Sequence, residues 1–526
     1  MIAIGKAPCD EGVILSRPVS APCARDVGRW ILVTTILGSS MAFIDGTVVN
    51  VALPAIQNNL GATATDLQWV MESYSLMLSA LLLLGGSLGD RYGRRRIFAI
   101  GIVIFAAASA WCGLARNIAE LIVARGAQGA GGALLVPSSL ALISSSFSDK
   151  DRGAAIGTWS GSTSITTAAG PVLGGWLVEH ISWRAAFYIN APIAAAVLFL
   201  LFWRVPEGSN PESRTRLDWM GASLATLSCF GVVYGLLQSP SLGWRHPLVT
   251  CTFGGGVLCF GLFLFTESRS KTPLVPLEMF RSRDFTGASV MTFLLYAALG
   301  AAFFFLPLNL IQVQGYSATA AGAAMLPMII LMFALSRWSG SLVARYGAKL
   351  PLVIGPLIAA AGFALFARPS IGGSYWGMFF PAFVLLGLGM AVSVAPLTTT
   401  VMGAVERRRA GTASGINNSI ARVAGLLAIA VLGIVMLNVH VHGFQRRLAD
   451  LPLTSETKQD LRSEANRLAA MHIPSGVQPA MRAAVERSIA ESFVGGFRVV
   501  MLIASGLALA SAMFSWALIG GRRRDH

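Results

Sequence analysis

Charge is scarce along these 526 residues. Only 12% are Asp, Glu, Lys or Arg, against about 25% in a soluble globular protein. Hydrophobic residues make up 54% of the chain and the mean hydropathy is +0.65. A soluble fold must cover its surface with polar groups, so this balance excludes a soluble enzyme or a DNA-binding domain. Acids are scarcer than bases, 25 against 40, leaving a net charge of +15. The six cysteines (9, 23, 112, 229, 251 and 259) show no paired spacing, which argues against a disulfide framework and reads as free thiols. The six histidines (180, 246, 440, 442, 472 and 526) form no ligand pattern, so no metal or cofactor is expected. A G-x-x-x-x-G-K-[ST] loop is absent, and with it an ATP-driven pump. The first 28 residues have no continuous apolar core. They read as a short cytoplasmic tail and not as a signal peptide.

Long apolar runs are what the chain does have. A bilayer core about 30 Å thick needs about 20 apolar residues per helix. About fourteen such stretches can be read, at 30–55, 67–89, 96–115, 118–146, 153–179, 185–203, 217–238, 248–266, 286–312, 318–343, 350–367, 375–403, 411–438 and 495–519. The reading is an all-α polytopic membrane protein with both termini on one side. The short loops on one face hold four basic residues, Arg116, Arg184, Arg245 and Arg368. The other face holds the runs Arg94–Arg96, Arg407–Arg409 and Arg522–Arg524. Positive loops stay inside, so both ends are expected in the cytoplasm. Most of the positive charge is then a topology signal and not a nucleic-acid footprint. One outer segment is long, His440 to Ser492. Its charges recur on alternate turns and Pro474 and Pro479 interrupt it, which predicts a solvated helical hairpin outside the membrane.

The chain repeats itself, as transporters often do. The decapeptide Gly86–Arg95 (GSLGDRYGRR) recurs as Gly340–Lys349 (GSLVARYGAK), offset by 254 residues. A weaker echo pairs Gly153–Gly157 with Gly411–Gly415 at an offset of 258, and Pro137 pairs with Pro396 at 259. The second copy has Ala344 where the first has Asp90, so the halves share a scaffold and not a chemistry. The expected organisation is a tail at 1–28, a six-helix bundle at 29–204, two extra linking helices with their loops at 205–284, a second six-helix bundle at 285–520 with the hairpin at 440–492, and a tail at 521–526.

Four stretches carry a family resemblance. Gly86–Arg96 matches the loop motif G-x-L-x-D-R-x-G-R-R/K. Arg125–Gly131 (RGAQGAG) matches R-x-x-Q-G in the fourth span. Gly170–Gly175 (GPVLGG) matches the G-P-x-x-G-G antiporter motif of the fifth. Asp45–Pro54 (DGTVVNVALP) matches a first-span motif. Each motif lies in the appropriate span, and the chain from about residue 30 to 520 resembles the major facilitator superfamily, specifically its fourteen-span drug:proton antiporters of the EmrB/QacA type.

Asp45 is the one acid deep in an apolar run, and an intramembrane carboxylate is expensive unless used or paired. At about 1.5 Å per residue it lies about 22 Å from the inner face, and Arg125 about 10 Å from the outer one. In a core of about 30 Å these depths match. The resemblance implies that spans 1 and 4 both line the central cavity, so the two side chains can approach. Burial raises a carboxyl pKa and a nearby cation lowers it. A group balanced between the two can carry a proton, with Arg125 as its modulator; a static pair that only fixes helix packing is the alternative. Glu72 is the other candidate acid, at about 8 Å into span 2, or simply a side chain snorkelling to the surface.

Gly86, Gly89 and Gly93 suit close approach and tight turns. Asp90 can accept hydrogen bonds from a helix N-terminus or from Arg91, Arg94 or Arg152. The resemblance reads this loop as a cytoplasmic latch; a topology anchor would need only the arginines. Pro171 after Gly170 removes a helix hydrogen bond and bends span 5, while Gly174 and Gly175 thin the same face. By resemblance this marks a proton-exchanging exporter. Arg422, near the middle of span 13, should face the bundle interior and pair, with a backbone carbonyl and Asn417 or Asn418 in a packing role, or alternatively with an anionic substrate. Arg337 lies nearer the inner face and is expected to snorkel.

The resemblance places spans 1, 4, 9 and 12 around the cavity, with Asn50, Tyr296, Phe303, Asn309 and Met390 as candidate linings. Aromatic and Met side chains give adaptable apolar contact, although Phe is equally at home facing lipid. The implied function is a secondary active exporter of lipophilic, chiefly cationic, drugs or toxic compounds, located in a cell inner membrane. Its partners are protons, a small-molecule substrate and the bilayer. Alternatives are an exporter of a specific metabolite, siderophore or organic anion, or an inner component handing substrate to a periplasmic adaptor through the hairpin. A non-transporting membrane scaffold has no evident use for a deep carboxylate.

Overall fold

The computed structural model describes residues 25–520 except 148, 207–217, 271–272, 406–409 and 475, and the described residues form helices and connections only. The long helices are α1 (Arg25–Leu60), α2 (Ala64–Tyr92), α3 (Arg94–Leu114), α4 (Ile118–Ser146), α5 (Asp149–His180), α6 (Asn190–Arg204), α7 (Trp219–Leu242), α8 (Pro247–Arg269), α9 (Arg283–Leu308), α10 (Leu326–Tyr346), α11 (Lys349–Phe366), α12 (Phe380–Gly403), α13 (Ala410–Asp450) and α14 (Pro479–Leu518). Short turns Ala185–Tyr188, Ala318–Ala323 and Tyr375–Met378 lead into α6, α10 and α12, and a π turn, Asn309–Val313, extends α9. Each stretch read as a span overlaps one of these helices, together with its lead-in or trailing turn where it has one; residue 217, the expected start of one stretch, lies outside the described residues. Among the described residues twelve helices are long and apolar enough to cross a membrane, α2 and α5 not being of the twelve. The predicted arginine anchors at 407–409 and 522–524 lie outside the described residues.

Local chemistry ends the helices where the sequence provides it. Thr63 Oγ1 accepts from Asp66 N while Asp66 Oδ2 accepts from Thr63 N, a reciprocal cap that starts α2. Asn117 Oδ1 accepts from Glu120 N at 2.8 Å to start α4. Gly93 (φ 101°) and Gly347 (φ 78°) make the α2–α3 and α10–α11 turns, in a backbone region that glycine enters without strain.

The chain divides into two compact units. The first comprises Met1–Val49, Val70–Cys229 and Leu258–Leu274. Its core gathers Met41 of α1, Leu78 of α2, Phe98, Ile102 and Phe105 of α3, Leu135 and Leu142 of α4, and Val197 and Leu201 of α6. α3 and α4 touch backbone to backbone. A methyl group added at Gly101 would lie 2.8 Å from Leu135 N, and one at Gly131 would lie 2.5 Å from Phe105 N.

The second unit comprises Asn50–Trp69, Phe230–Val257 and Val275–His526. Here α11 and α12 repeat that contact. A methyl at Gly355 would lie 2.9 Å from Gly389 O, and one at Gly389 would lie 2.5 Å from Ala359 N. Gly101 and Gly355 are separated by 254 residues, Gly131 and Gly389 by 258, the offsets of the sequence repeat. The internal duplication thus extends from loop motifs to helix packing.

Three glutamines tie the ends of α1 and α2 into the second unit. Gln57 Nε2 donates to Arg467 O at 3.0 Å, Gln312 Nε2 donates to Gln57 Oε1 at 2.8 Å, and Gln68 Nε2 donates to Ile429 O at 3.0 Å. Gln68 reaches that carbonyl because residue 433 is a glycine, and a methyl there would collide with its amide.

The segment expected to be a solvated hairpin has a core of its own. α13 and α14 run on to Asp450 and back from Pro479, joined by a helix Ser455–Ser463 and by short 3₁₀ turns within Ala465–Ala470 that meet at a kink at Leu468. Phe444, Leu448, Leu461, Met471, Ile473, Val477, Val485 and Ile489 pack together inside it. Its charges lie outside that cluster, with Arg447 and Arg487 both bonded to Glu491.

Candidate functional site

The first unit buries an ion pair. Asp45 of α1 and Arg125 of α4 are both 0% exposed. Arg125 Nη1 donates to Asp45 Oδ2 at 2.5 Å and to Gln128 Oε1 at 2.7 Å. Gln128 Nε2 donates to Asp45 Oδ1 at 2.7 Å. Arg125 and Gln128 stand three residues apart, on one face of α4, and together occupy both carboxylate oxygens. Arg125 Nε donates to Val70 O at 3.1 Å, and its guanidinium lies 4.3 Å from the centre of the Tyr74 ring. The Cys112 thiol donates to Gln128 Oε1 at 3.6 Å. Arg125 Nη2 has no hydrogen-bond partner among the described residues. Both carboxylate oxygens of Asp45 thus accept from side-chain donors of α4. Burying the carboxylate is tolerable only because the opposite charge and an amide meet it there.

The antiporter motif lies beside this pair. Gly170 of α5 faces Thr47, where any methyl group would collide with Oγ1. One turn on, a methyl at Gly174 would lie 2.8 Å from Val48 Cγ1. α5 therefore presses directly on α1 two to three residues from Asp45. Pro171 and Gly175 are buried in the same helix, and α5 continues through the proline to His180.

Glu72 does not snorkel. It is 0% exposed, and neither carboxyl oxygen has a hydrogen-bond partner among the described residues. It enters α2 deeply enough to be enclosed by its neighbours, which a count of residues from the helix end could not show.

The loop motif is seen in part. Gly86 packs 3.6 Å, as an added Cβ would measure it, from Pro137 Cβ, and Gly93 makes the turn into α3. Arg94 Nη1 donates to Ala141 O at 3.1 Å, and the Arg91 guanidinium lies over Tyr92. The carboxylate of Asp90 and the side chains of Arg152 and Arg337 lie outside the described residues.

The candidate cavity residues divide by exposure. Asn309 and Met390 are 1% and 3% exposed and are enclosed by helix packing. Asn50, Tyr296, Phe303 and Arg422 are half-buried. Asn417 accepts from Thr292 Oγ1 at 2.7 Å, joining α13 to α9. Of the residues read from sequence, the structure brings together Asp45 and Arg125 and sets Gly170 and Gly174 against Thr47 and Val48 of α1. Gln128 and Tyr74 went without a role. The signal for Gln128 was its place three residues after Arg125 in the R-x-x-Q-G motif; Tyr74 carried none.

Among proteins of known sequence, the chain is 34% identical over 489 residues to the tetracenomycin C resistance and export protein of Streptomyces glaucescens, covering 91% of this chain and 90% of that protein. It is 33% identical over 497 residues to the multidrug resistance protein Stp of Mycobacterium tuberculosis, covering 92% and 91%. The puromycin resistance protein of Streptomyces alboniger is also 33% identical, over 94% of this chain and 92% of its own length. Among solved structures, a bacterial homolog to the human lysosomal transporter Spinster superposes with a TM-score of 0.65 at 19% identity, over 95% of this chain and 100% of that one. The xylose transporter of E. coli superposes with a TM-score of 0.56 at 14% identity, over 94% and 97%. Residues 35–429 match the profile of one family, and with that match and these relatives the chain belongs to the Major Facilitator Superfamily.

Proposed function

We propose that the chain is a secondary active exporter that moves lipophilic compounds, cations foremost, out across the cytoplasmic membrane in exchange for protons. The observation that carries this reading is the closed constellation of Asp45, Arg125 and Gln128. Protonating Asp45 cancels its charge and leaves the Arg125 guanidinium buried without a counter-ion. Removing one partner of a buried pair costs about 3–5 kcal/mol, enough to favour another arrangement of the helices around it. Asp45 is thus the proton-carrying group and Arg125 its modulator. Gly170 and Gly174 let α5 sense any shift of α1. The names of the relatives, resistance and export proteins, support export over import. The chain is a transporter and not an enzyme.

In this reading the membrane is crossed fourteen times, α2 and α5 included, with both termini cytoplasmic. Bundles at 29–204 and 285–520 are joined by two linking helices within 205–284. The loop of Gly86, Asp90, Arg91, Gly93 and Arg94 is a cytoplasmic latch, and Asn50, Tyr296, Phe303, Asn309, Met390 and Arg422 contribute to the substrate path. A narrower reading, export of one specific compound, is supported by relatives named for single compounds such as tetracenomycin C and puromycin.

Ethidium efflux from energised cells, with and without an uncoupler, tests the proposal. Uncoupler-sensitive efflux by the natural chain is expected, and its loss in Asp45→Asn that still reaches the membrane. If Asp45→Asn pumps normally, the proton site passes to Glu72. If neither chain moves ethidium, the narrower reading takes precedence.

A further inference from the structure

The second unit holds a cleft remote in sequence from every motif above. It has a volume of about 1060 Å³ and is open to one side, a size just above the roughly 300–1,000 Å³ of small-molecule sites. Its lining includes buried apolar side chains, Met471, Ile473, Ile489 and Val494. It is also lined by four arginines, Arg447, Arg482, Arg487 and Arg498, and by two acids, Glu486 and Glu491. Those acids do not balance the arginines. Arg447 and Arg487 share Glu491, at 3.2 Å each. Arg482 takes Glu486 at 3.3 Å. The Arg498 hydrogen bond runs from Nε to a backbone carbonyl, Ala367 O, at 2.9 Å.

The wall between α9 and the hairpin is built with some strain. Leu468 is the one non-glycine among the described residues with positive φ, 55°, a conformation that a bulky side chain adopts only under constraint. It is 3% exposed and anchors the segment whose next residues, Ala469 and Met471, line both this cleft and a neighbouring cavity of about 390 Å³. Gln312, whose Oε1 is buried without a partner, lies at the same junction.

We propose that this cleft is a binding site for amphiphilic organic anions, in which a carboxylate, sulfonate or phosphate meets the arginines and an apolar body lies against Met471 and Ile489. Guanidinium groups recognise such anions by paired donors, and the shape calls for an apolar body of drug size. The site is separate from the Asp45 constellation and does not depend on the transport reading. In the proposed topology it opens on the extracytoplasmic side, where it would draw in anionic compounds and repel cations already exported.

The full chain, purified into phosphatidylcholine nanodiscs, is titrated with 1-naphthalenesulfonate and, in parallel, with 1-naphthylmethylammonium, which has the same apolar body and the opposite charge. The sulfonate should bind and the ammonium should not. Arg482→Gln should weaken the sulfonate about tenfold and Glu486→Gln should tighten it, both at unchanged melting temperature, since exposed i,i+4 pairs add little to stability. Arg498→Lys should retain most of the binding that Arg498→Gln loses. In nanodiscs containing phosphatidylglycerol, a fall in apparent affinity identifies a lipid headgroup as the natural anion, and an unchanged affinity a soluble one. Equal binding of sulfonate and ammonium, or an affinity indifferent to both Arg482→Gln and Glu486→Gln, overturns the proposal. Efflux of ethidium is read separately, so failure of the cleft and failure of the exporter reading are distinguishable.

Discussion

At Asp45 a carboxylate with no exposed surface is held by two donors, one on each oxygen, which come from side chains three residues apart on α4. The arrangement makes Gln128 as much a part of the site as the charged pair. Gln128→Ala leaves Asp45 Oδ1 and the Cys112 thiol without their partner, and an unsatisfied buried group costs about 1–3 kcal/mol. The expected outcome is a lower melting temperature in detergent together with a changed pH dependence of efflux, whereas Gln128→Glu, which sets a second carboxylate beside Asp45, should impair efflux more severely. Asp45 and Arg125 could be matched in depth from sequence, because helical rise is uniform, and the family resemblance implied that their two helices face one cavity. Gln128 could not be assigned its role that way, since the direction of a side chain depends on which neighbouring helix it faces. The same limit applied to Glu72. Its depth near a helix end suggested escape to water, and only the packing around it shows that it is enclosed.

At the scale of elements, glycine decides which helices touch. α3 meets α4 at Gly101 and Gly131, and α11 meets α12 at Gly355 and Gly389. Small residues in membrane helices gain their stabilisation from such close backbone approach. Gly131→Ala and Gly389→Ala should each destabilise by about 1–3 kcal/mol through overpacking, measured as a fall in melting temperature. Gly254→Ala on α8, where an added Cβ meets nothing within 4 Å, should be neutral or slightly stabilising, as alanine is the better helix former by up to about 1 kcal/mol. The loop repeat was legible in the sequence as a decapeptide. Its extension into the helix interfaces was not, because glycines are too frequent, 56 in all, for any one pair to stand out before the contacts are known. The glutamine contacts are of the same kind. Gln57→Ala together with Gln68→Ala removes hydrogen bonds to Arg467 O and Ile429 O. Thiol labelling of a cysteine introduced at Gln312 should then become faster in the double variant.

For the whole molecule the orientation proposed from loop charges has a direct readout. A fluorescent protein fused after His526 should fold and fluoresce in the cytoplasm. Alkaline phosphatase inserted in the hairpin, near Lys458, should be active outside. A reporter placed at Gly93 should report the cytoplasm and one placed at 181–184, after α5, should report the outside, which requires α2 and α5 to cross. Opposite signals at any of these positions would reverse the topology or reduce the number of crossings.

What the sequence determined by itself is whatever depends on composition and one-dimensional spacing. Apolar length demands membrane helices, because backbone polar groups in hydrocarbon must be satisfied within the segment. Loop arginines imply an orientation, and an isolated acid at matching depth to an arginine marks two residues that can pair once the family resemblance sets their helices around one cavity. Tertiary structure alone decided which polar groups are enclosed, that Gln128 closes the Asp45 site, and that the charged segment after His440 folds around its own apolar core with an arginine-lined cleft. These depend on which helix faces which. That choice is made by the joint packing of many side chains and leaves no periodic trace along the chain.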